Sequence, residues 1–328
     1  MSDRILIVRI GALGDALHTL PLLNELRRRA PDAEIDWAAG KSIIRFLEGH
    51  KAVRKFVPVE RGARGLLKAA LAVRDQYDLA IDTQGLIKSA LLARAAAPKV
   101  IGRAFGHARE FPATWFYTEK IAPPSAHIID QNLDLLAASY PSETREVRYD
   151  IPVPLLPDWP LLIQNPIIFN IGGGWWTKLW PLENFAALAR EIDAVLGISV
   201  GIVWGPGEEK AAQTIANLSP ARVAPATTFA ELAAIFQRCR LLVSGETGPL
   251  HLAAAVGCPT VALLGPTHAA RNGPYGAGHV VLEPELLCRP CFSRTCSDFR
   301  CMPAISVARV FDAIATGDIL QHSNIQNK

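Results

Sequence analysis

Three glycine-containing segments carry residue types that could bind a phosphorylated ligand or move a proton. The first, GALGD at residues 11–15, follows an apolar stretch at residues 4–10. Its glycines would let the backbone approach a ligand closely. Asp15 offers a carboxylate that could act as a general base or cap the helix that follows. A dinucleotide-binding loop needs the spacing G-x-G-x-x-G, whereas this segment has G-x-x-G followed by an acid. The difference argues against a nicotinamide-dependent oxidoreductase.

The second segment is GGGWWTKLWP at residues 172–181. Gly173 and Gly174 belong to a flexible loop at residues 172–178, which we call the lip, and Lys178 supplies a positive charge. This combination could hold a diphosphate. The segment is not a P-loop, because the Lys-Ser/Thr pair and its spacing are missing. A surface turn that ends where a helix begins at Pro181 explains the same residues equally well.

The third segment, SGETGPLH at residues 244–251, joins an apolar strand to a helix that begins near Pro249. Free N–H groups around Thr247 and Gly248 would lie at the positive end of that helix, where phosphate binds well. Glu246 could accept hydrogen bonds from sugar hydroxyls, and His251 lies in the first helical turn. The alternative explanation is a capping acid and a packed histidine.

Four of the six cysteines lie close together near the end of the sequence, at Cys288, Cys291, Cys296 and Cys301. In a reducing compartment such crowding favours a metal over disulfides. Four thiolates suit zinc or iron, and a closed set of four ligands indicates a structural ion. Free thiols or disulfides stay open as the alternative, because the spacing differs from the usual two-knuckle zinc pattern.

The elements that must position these segments alternate between strand and helix. Apolar runs in the first half predict strands at residues 4–10, 34–38, 55–59, 79–82 and 100–102. A helix over residues 16–29 is expected to kink at Pro21. Because parallel strands need crossover helices, this alternation predicts a doubly wound α/β fold with a parallel sheet.

A second doubly wound domain follows a proline-rich stretch. Residues 151–166 hold five prolines, a composition that disfavours regular helix and central strand. The expected organisation is a domain at residues 1–152, a linker at 153–165 and a domain at 166–328. The second domain has predicted strands at residues 167–171, 199–204, 241–243 and 260–264, with helices at 182–196, 208–217, 229–238 and 249–256.

Composition narrows the function further. Half of the 328 residues are hydrophobic and the formal net charge is only +3, so a large apolar core is expected and strong nucleic-acid binding is not. We find neither a stretch of about 18 uncharged apolar residues nor a signal-peptide pattern. A cytoplasmic protein is expected, at most peripheral at the inner membrane.

Four longer motifs resemble the lipopolysaccharide heptosyltransferase family (glycosyltransferase family nine). They are VRIGALGDALHTLP, DLAIDTQGLIKSALL, KLWPLENFAALA and VSGETGPLHLAAAVGCPTVALLGPT, and they are spread over nearly the whole chain. The segments QGLIKSA and HARE are most similar to the heptosyltransferase I branch. The resemblance implies a GT-B fold, in which two Rossmann-like domains face each other across a cleft. It places the acceptor on the N-terminal domain and the nucleotide sugar on the C-terminal domain.

The resemblance also implies roles for single residues. Asp15 matches the family's proposed base and Lys178 its diphosphate-contacting lysine. The residues that match or adjoin the family's donor-binding turns are Gly173, Gly174, Glu246, Thr247, Gly248 and His251. Those placed near an anionic, lipid-linked glycan acceptor are Gly14, Lys88 and Arg109. Two features depart from heptosyltransferase I. Glu246 stands in place of an aspartate, and the cysteine cluster is additional. Similar clusters, some of them iron-binding, occur elsewhere in the family.

Together these observations predict an inverting glycosyltransferase that moves heptose from ADP-heptose to a lipopolysaccharide-core-type acceptor. In this hypothesis the chemistry needs no cofactor, and zinc or iron at the cysteines is structural. A nucleotide-sugar-binding protein without catalytic activity is the main rival. A nicotinamide-dependent oxidoreductase is a weaker one.

Overall fold

The structure, a computed structural model, describes residues 3–156 and 158–316. The chain divides into two units, Met1–Pro152 and Val153–Lys328. Each unit contains a six-stranded sheet in which all neighbouring strands run parallel. The predicted doubly wound α/β fold is therefore confirmed.

The sheet of the first unit has the order β3-β2-β1-β4-β5-β6. Its strands are β1 Arg4–Val8, β2 Glu34–Ala39, β3 Lys55–Pro58, β4 Leu79–Asp82, β5 Lys99–Arg103 and β6 Glu119–Ile121. The central strands β1 and β4 are almost wholly buried, as expected for strands covered on both faces. The edge strand β6 was not predicted, because its three residues include two charged side chains.

The helices of the first unit are α1 Leu13–Leu17, α2 Leu20–Arg29, α3 Lys41–Leu47, α4 Gly62–Val73, α5 Ile87–Ala96 and α6 Ile128–Asp134. Short 3-10 helices span Phe111–Phe116 and Leu135–Ala138. The prediction of one helix kinked at Pro21 is wrong. The chain instead forms two helices, and Pro21 lies in the first turn of α2, where its missing N–H has no intrahelical partner to lose.

The sheet of the second unit has the order β12-β11-β10-β7-β8-β9. Its strands are β7 Ile167–Asn170, β8 Val200–Val203, β9 Arg222–Val223, β10 Leu241–Gly245, β11 Thr260–Leu263 and β12 His279–Leu282. The four predicted strands are present with slightly different ends. The edge strands β9 and β12 were not predicted, since β9 has only two residues and β12 is partly exposed.

The helices of the second unit are α7 Leu182–Glu191, α8 Glu209–Asn217, α9 Phe229–Arg238, α10 Gly248–Ala255, α11 Ala269–Asn272 and α12 Val307–Ala315. A π-helical segment, Ile192–Leu196, continues α7. Within the proline-rich stretch a 3-10 helix, Pro160–Gln164, buries Leu161 and Leu162. In the residues that the structure describes, no helix is long and apolar enough to cross a bilayer.

In both sheets the order in which successive strands are added reverses at the first strand. In the first unit β1 lies between β2 and β4, and in the second β7 lies between β8 and β10. In doubly wound sheets, ligands bind outside the carboxyl ends of the strands at this switch point. The GALGD segment follows β1, and the GGGWWTK and SGETG segments follow β7 and β10. All three chemically interesting segments therefore lie at switch points.

Candidate functional site

Asp15 lies in the first unit, in the single helical turn that follows β1. The residue that caps α1 is Ala12, and no side chain caps this helix, so the capping explanation for Asp15 is wrong. Its Oδ2 atom instead accepts hydrogen bonds from Arg9 NH1 at 3.4 Å and Arg109 NH1 at 3.2 Å. The Oδ1 atom accepts none from the described residues. Asp15 is thus held through one oxygen while the other is available to a substrate.

Arg9, which directly follows β1, was not predicted as a site residue. Its side chain is only 3 % exposed, and its guanidinium donates to Thr83 Oγ1 at 3.2 Å, to the Thr83 carbonyl and to Asp15. Burial lowers the pKa of Arg9, the charge of Asp15 opposes that shift, and Arg109 adds to it. A buried arginine needs such partners to stay charged. Arg9 therefore fixes the carboxylate of Asp15 against the loop after β4.

The loop after β4 places Arg109. Gly85 has a positive φ of +71°, and a side chain there would come within 3.1 Å of the Arg109 backbone nitrogen. The Glu110 backbone N–H donates to the Gly85 carbonyl at 3.0 Å, which ties the two loops together. Because glycine tolerates both the positive φ and the close approach, Gly85 lets the backbone at Arg109 pack against this loop.

Buried Asp82 folds the loop that carries Gly85. Its carboxylate accepts hydrogen bonds from the backbone N–H groups of Gln84 and Gly85, from Ser89 Oγ and from the Tyr117 hydroxyl, at 2.7–3.2 Å. Burial raises the pKa of Asp82, and these four donors act in the opposite direction. The carboxylate therefore holds the backbone of this turn in place.

The other residues predicted near the acceptor are placed less closely. Gly14 lies within α1, next to Asp15. Lys88 is exposed on α5 and forms no ion pair with a residue in the described parts of the chain. Only Arg109, among the predicted cations of this unit, contacts Asp15.

In the second unit, Asn170 joins the loops after β7 and β10. Its buried amide donates to Ser244 Oγ at 2.9 Å and to Thr247 Oγ1 at 3.1 Å. Thr247 is the N-cap of α10, and its hydroxyl accepts from the Leu250 backbone N–H. Gly248 begins the helix. The N-terminus of α10 therefore opens at the switch point with the geometry that suits an anion.

Lys178, Glu246 and His251 form a partly buried charged cluster beside that helix end. The Lys178 ammonium is ion-paired with Glu246 Oε2, and the other oxygen of Glu246 lies 3.4 Å from His251 Nε2. Burial raises the pKa of Glu246, but His251 and Lys178 outweigh it, and the net pKa lies below the ordinary 4.5. Glu246 is therefore ionised at neutral pH, and its stabilising contribution is lost as pH falls through the lowered pKa.

Two residues near Lys178 were not predicted from the sequence as site residues. The Lys178 ammonium lies 4.0 Å from the centre of the Trp175 ring, and the Arg294 guanidinium lies 5.0 Å from the same ring. A cation over an aromatic face gains electrostatic attraction. Arg294 comes from the cysteine-containing segment, so that segment contributes a second positive charge next to the lip.

The glycines of the lip are used in different ways. A side chain at Gly172 would collide with the carboxylate of Glu208, whereas Gly174 has open space around it. A side chain at Gly173 would come into close contact with Leu179 without a collision as severe as at Gly172. A side chain at Gly245, at the end of the neighbouring strand, would come within 3.0 Å of the Lys178 carbonyl. Close approach of the lip to β10 explains why both elements carry glycine.

The predicted metal site at Cys288, Cys291, Cys296 and Cys301 is not supported. Across residues 3–156 and 158–316, no group of three or more His, Cys, Asp or Glu side chains is arranged to hold a metal ion. Cys288, Cys291 and Cys296 are exposed, whereas Cys301 is partly buried. Burial raises the pKa of the Cys301 thiol, and its neighbours Cys291 and Cys296 add to the shift.

Hydrogen bonds and a contact between aromatic rings hold the cysteine-containing segment in place. Arg289 donates to the carbonyls of Gly265, Pro284 and Thr267. Thr177 Oγ1 donates to the Ser293 carbonyl at 2.8 Å. The rings of Trp176 and Phe299 lie 4.9 Å apart. The segment therefore braces the lip that carries Lys178.

These two sets of residues have complementary chemistry. The first unit presents a carboxylate with one oxygen available, next to an exposed arginine, which suits proton removal from an anionic substrate. The second presents a lysine and a helix N-terminus, which suit a diphosphate. Doubly wound units of this kind, paired in one chain, are the architecture of GT-B glycosyltransferases.

Comparison with known proteins agrees with this class. Residues 66–301 match the model of glycosyltransferase family 9 (heptosyltransferase). Lipopolysaccharide heptosyltransferase 1 of Pseudomonas aeruginosa is 33% identical over 319 residues, covering 90% of this chain and 87% of that protein. The enzyme of the same name from Escherichia coli K12 is 30% identical over 301 residues, covering 85% and 92%.

Solved structures give the same result. The E. coli heptosyltransferase WaaC with ADP superposes with a TM-score of 0.79 at 26% identity, covering 95% of this chain and 99% of that chain. The same enzyme with ADP-2-deoxy-2-fluoro heptose gives 0.76 at the same identity and coverage. The chain belongs to glycosyltransferase family 9 and is a glycosyltransferase with the GT-B fold. This assignment favours the transferase over both rival interpretations.

Proposed function

We propose that the protein transfers heptose from ADP-heptose to an anionic, lipid-linked acceptor of the lipopolysaccharide-core type. The observation that carries the proposal is the arrangement at the switch point of the second unit. There Lys178 lies over the Trp175 ring, which Arg294 also contacts, and pairs with Glu246, the residue before the N-cap Thr247 of α10. Relatives named lipopolysaccharide heptosyltransferase 1 and a neighbour crystallised with a fluorinated ADP-heptose support this choice of donor.

The proposed reaction is inverting. Asp15 Oδ1 takes the proton of an acceptor hydroxyl while that oxygen forms a bond to the anomeric carbon of the heptose. The bond between the same carbon and the diphosphate oxygen breaks, and ADP leaves with the bonding electrons. Attack from the face opposite the leaving group inverts the configuration at the anomeric carbon. Arg9 and Arg109 hold Oδ2, which keeps Oδ1 directed away from the protein's own donors.

Negative charge grows on the diphosphate as the bond breaks. Lys178 and the N–H groups around Thr247 and Gly248 would bind that charge more strongly in the transition state than in the ground state. The Asn170 amide keeps Thr247 in place, so these donors need little rearrangement during the reaction. Glu246 and His251 complete the proposed donor site, together with Gly173 and Gly174 on the lip.

The two units take different roles in this proposal. The first unit, Met1–Pro152, binds the acceptor through Arg109 and the exposed Lys88, with Gly14 next to the base. The second unit, Val153–Lys328, binds the nucleotide sugar. The proline-rich residues 153–165, predicted as a linker, belong to the beginning of the second unit.

A direct assay tests the proposed function. The purified chain is incubated with ADP-heptose and a lipid A core acceptor, and released ADP is measured. We expect ADP release that requires both substrates, whereas UDP-glucose as a control donor should release no UDP. Tight binding of ADP-heptose by calorimetry without acceptor-dependent ADP release would instead identify a binding protein that does not catalyse transfer.

Arg109 provides a test of the anionic acceptor. Its side chain is 54 % exposed, and only one of its N–H groups is used by Asp15. The others can form a bidentate pair with phosphate or carboxylate. Arg109→Ala is therefore expected to raise the acceptor KM by about tenfold or more, and more at low than at high salt. Arg45→Ala, at another exposed arginine of the same unit, is the matched control, and an unchanged acceptor KM would contradict the anionic-acceptor proposal.

A further inference from the structure

Exposed apolar side chains are concentrated in one part of the first unit. Within its described residues, 3–152, all of the exposed large hydrophobic residues fall between positions 67 and 115. They are Leu67, Leu71, Ile87, Leu91, Phe105, Phe111 and Trp115. Single exposed apolar residues are common on protein surfaces, but a patch of this kind indicates an interaction site.

The elements that carry these residues lie side by side on one face of the sheet. The helix α5 contacts both α4 and the 3-10 helix Phe111–Phe116. All three pack into the same core cluster, which includes Ala69 and Val73 of α4, Ala93 of α5 and Ala113 of the 3-10 helix, above strand residues such as Leu6. Their outward side chains therefore point away from the same face of the sheet.

The helical spacing of the apolar residues supports a continuous surface. Leu67 and Leu71 are four residues apart on α4, and Ile87 and Leu91 are four apart on α5. Residues at this spacing lie on the same side of a helix. Each helix therefore has a second apolar stripe, opposite the one that packs on the sheet.

The aromatic residues extend this surface as a connected row. The ring of Phe111 lies 6.0 Å from that of Phe105 and 5.8 Å from that of Trp115, both in edge-to-face contact. Phe105 is 74 % exposed and Trp115 is 71 % exposed. Aromatic side chains of this kind are enriched where proteins meet the interfacial region of a bilayer.

Charge on these elements has one sign. The two α-helices and the 3-10 helix carry Arg64, Lys68, Lys88 and Arg94 and no acidic residue. All four basic residues are exposed. Lys68 lies 3.4 Å from Glu60, an exposed pair that solvent screens strongly. The neighbouring Glu110 is engaged with the Ile87 backbone N–H.

We infer that this surface, which we call the aromatic–basic face, docks the protein on an anionic phospholipid bilayer. The face consists of the seven exposed apolar residues with Arg64, Lys68, Lys88 and Arg94. Apolar side chains would enter the headgroup region, and the basic residues would pair with acidic headgroups. The inference rests on the proposed function in one respect, since a lipid-linked acceptor requires the enzyme at a membrane surface.

Charge complementarity selects a bilayer over a second copy of the chain. In a twofold dimer the same patch meets itself, so four basic residues would face four basic residues. Like charges brought together in this way oppose association. An acidic lipid surface supplies the opposite charge over the whole face. Arg109, which follows Phe105 closely in the chain, would then meet the acceptor near the same surface.

Vesicle binding by the full chain tests the inference. Binding to vesicles of phosphatidylcholine alone and of phosphatidylcholine with phosphatidylglycerol is measured by co-sedimentation at low and high salt. We expect binding only to the anionic vesicles, weakened at high salt. The variants Leu71→Ser/Trp115→Ser and Arg64→Glu/Lys68→Glu should each lower the partition constant by about tenfold or more.

Matched controls are available on the second unit. Ile163→Ser/Leu218→Ser changes two exposed apolar residues, and Lys210→Glu changes an exposed lysine. Both controls should bind vesicles like the parent. Thermal unfolding of every variant is measured alongside, and an unchanged midpoint excludes misfolding as the cause of lost binding.

Activity separates this inference from the proposed function. On a water-soluble acceptor without acyl chains, the face variants should transfer sugar within about twofold of the parent, because they lie outside the catalytic groups. The inference is overturned if the parent does not bind anionic vesicles or binds neutral ones equally well. It is also overturned if the parent is a dimer that the face variants dissociate. A parent that binds anionic vesicles but transfers no heptose to the soluble acceptor would contradict the proposed function alone.

Discussion

Asp15→Asn is expected to slow sugar transfer by about 10²–10⁴-fold, the usual contribution of a positioned general base. Asparagine keeps the size of the side chain and can still accept hydrogen bonds from Arg9 and Arg109 through its carbonyl oxygen. It cannot take up the proton of the acceptor hydroxyl. The affinity for ADP should be unchanged, because Asp15 belongs to the helical turn after β1 and the proposed phosphate-binding groups belong to the second unit. Steady-state ADP release and calorimetric ADP binding measure the two effects separately.

The control for this experiment is Asp32→Asn, at an exposed aspartate of the same unit. It makes the same chemical change away from the switch point and should leave both quantities unaltered. Near-wild-type turnover in Asp15→Asn would sink the assignment of the base. Loss of ADP affinity in the same variant would show that Asp15 acts in donor binding.

Lys178→Ala is expected to weaken donor binding and to lower kcat by about 10²–10³-fold, as for loss of one preorganised donor to developing charge. The substitution also leaves Glu246 partly buried without its ammonium partner, so the thermal unfolding midpoint should fall. The double variant Lys178→Ala/Glu246→Gln removes that unpaired charge and should recover much of the stability. Because Glu246 also belongs to the proposed donor site, its turnover is compared with that of Glu246→Gln alone, and it should stay well below that value if Lys178 acts in catalysis.

Lys210→Ala supplies the control, because it removes an exposed lysine from the same unit. Donor affinity is measured with ADP-heptose by calorimetry, and turnover by acceptor-dependent ADP release. If both match the parent protein in Lys178→Ala, the lip is the surface turn that residue types alone also allow.

The elements predicted correctly are those with a strong apolar pattern. Strands such as β4 Leu79–Asp82 lie in the buried centre of a sheet, and burial on both faces requires a continuous apolar run. The edge strands β6, β9 and β12 lack that requirement and left no such pattern, whereas the edge strand β3 was predicted from a short apolar run. At Pro21 the residue type was informative, but the pattern did not show whether proline kinks a helix or begins one.

The candidate site was predictable where a loop follows a strand and carries glycine. Asp15, Lys178 and Thr247 all satisfy that description. Arg9 and Asn170 were missed because each reads as the polar end of an apolar strand. Their importance depends on which strands are neighbours at the switch point, and pairing between distant strands is a property of the tertiary fold. A polar residue that ends a central strand is the signal that could have found them.

The metal site predicted at the four cysteines is not supported by the described residues. Spacing brought four thiols close in sequence, but spacing does not fix the directions of the side chains. In the structure Arg289, Thr177 and Phe299 make the contacts that hold this segment. Arg294 could not be predicted either, since its partner Trp175 lies more than a hundred positions earlier in the sequence.

The ion pair between Lys178 and Glu246 bears on how each round of transfer ends. A diphosphate that contacts the Lys178 ammonium must compete with the Glu246 carboxylate, which lies on the neighbouring loop and stays ionised at neutral pH. In the proposed reaction the same competition would act on ADP after the sugar has gone. Because Glu246 recaptures the lysine as ADP withdraws, we expect it to shorten the residence time of the spent nucleotide. The pair would thus favour rapid product release over tight product binding, at a step that often limits kcat.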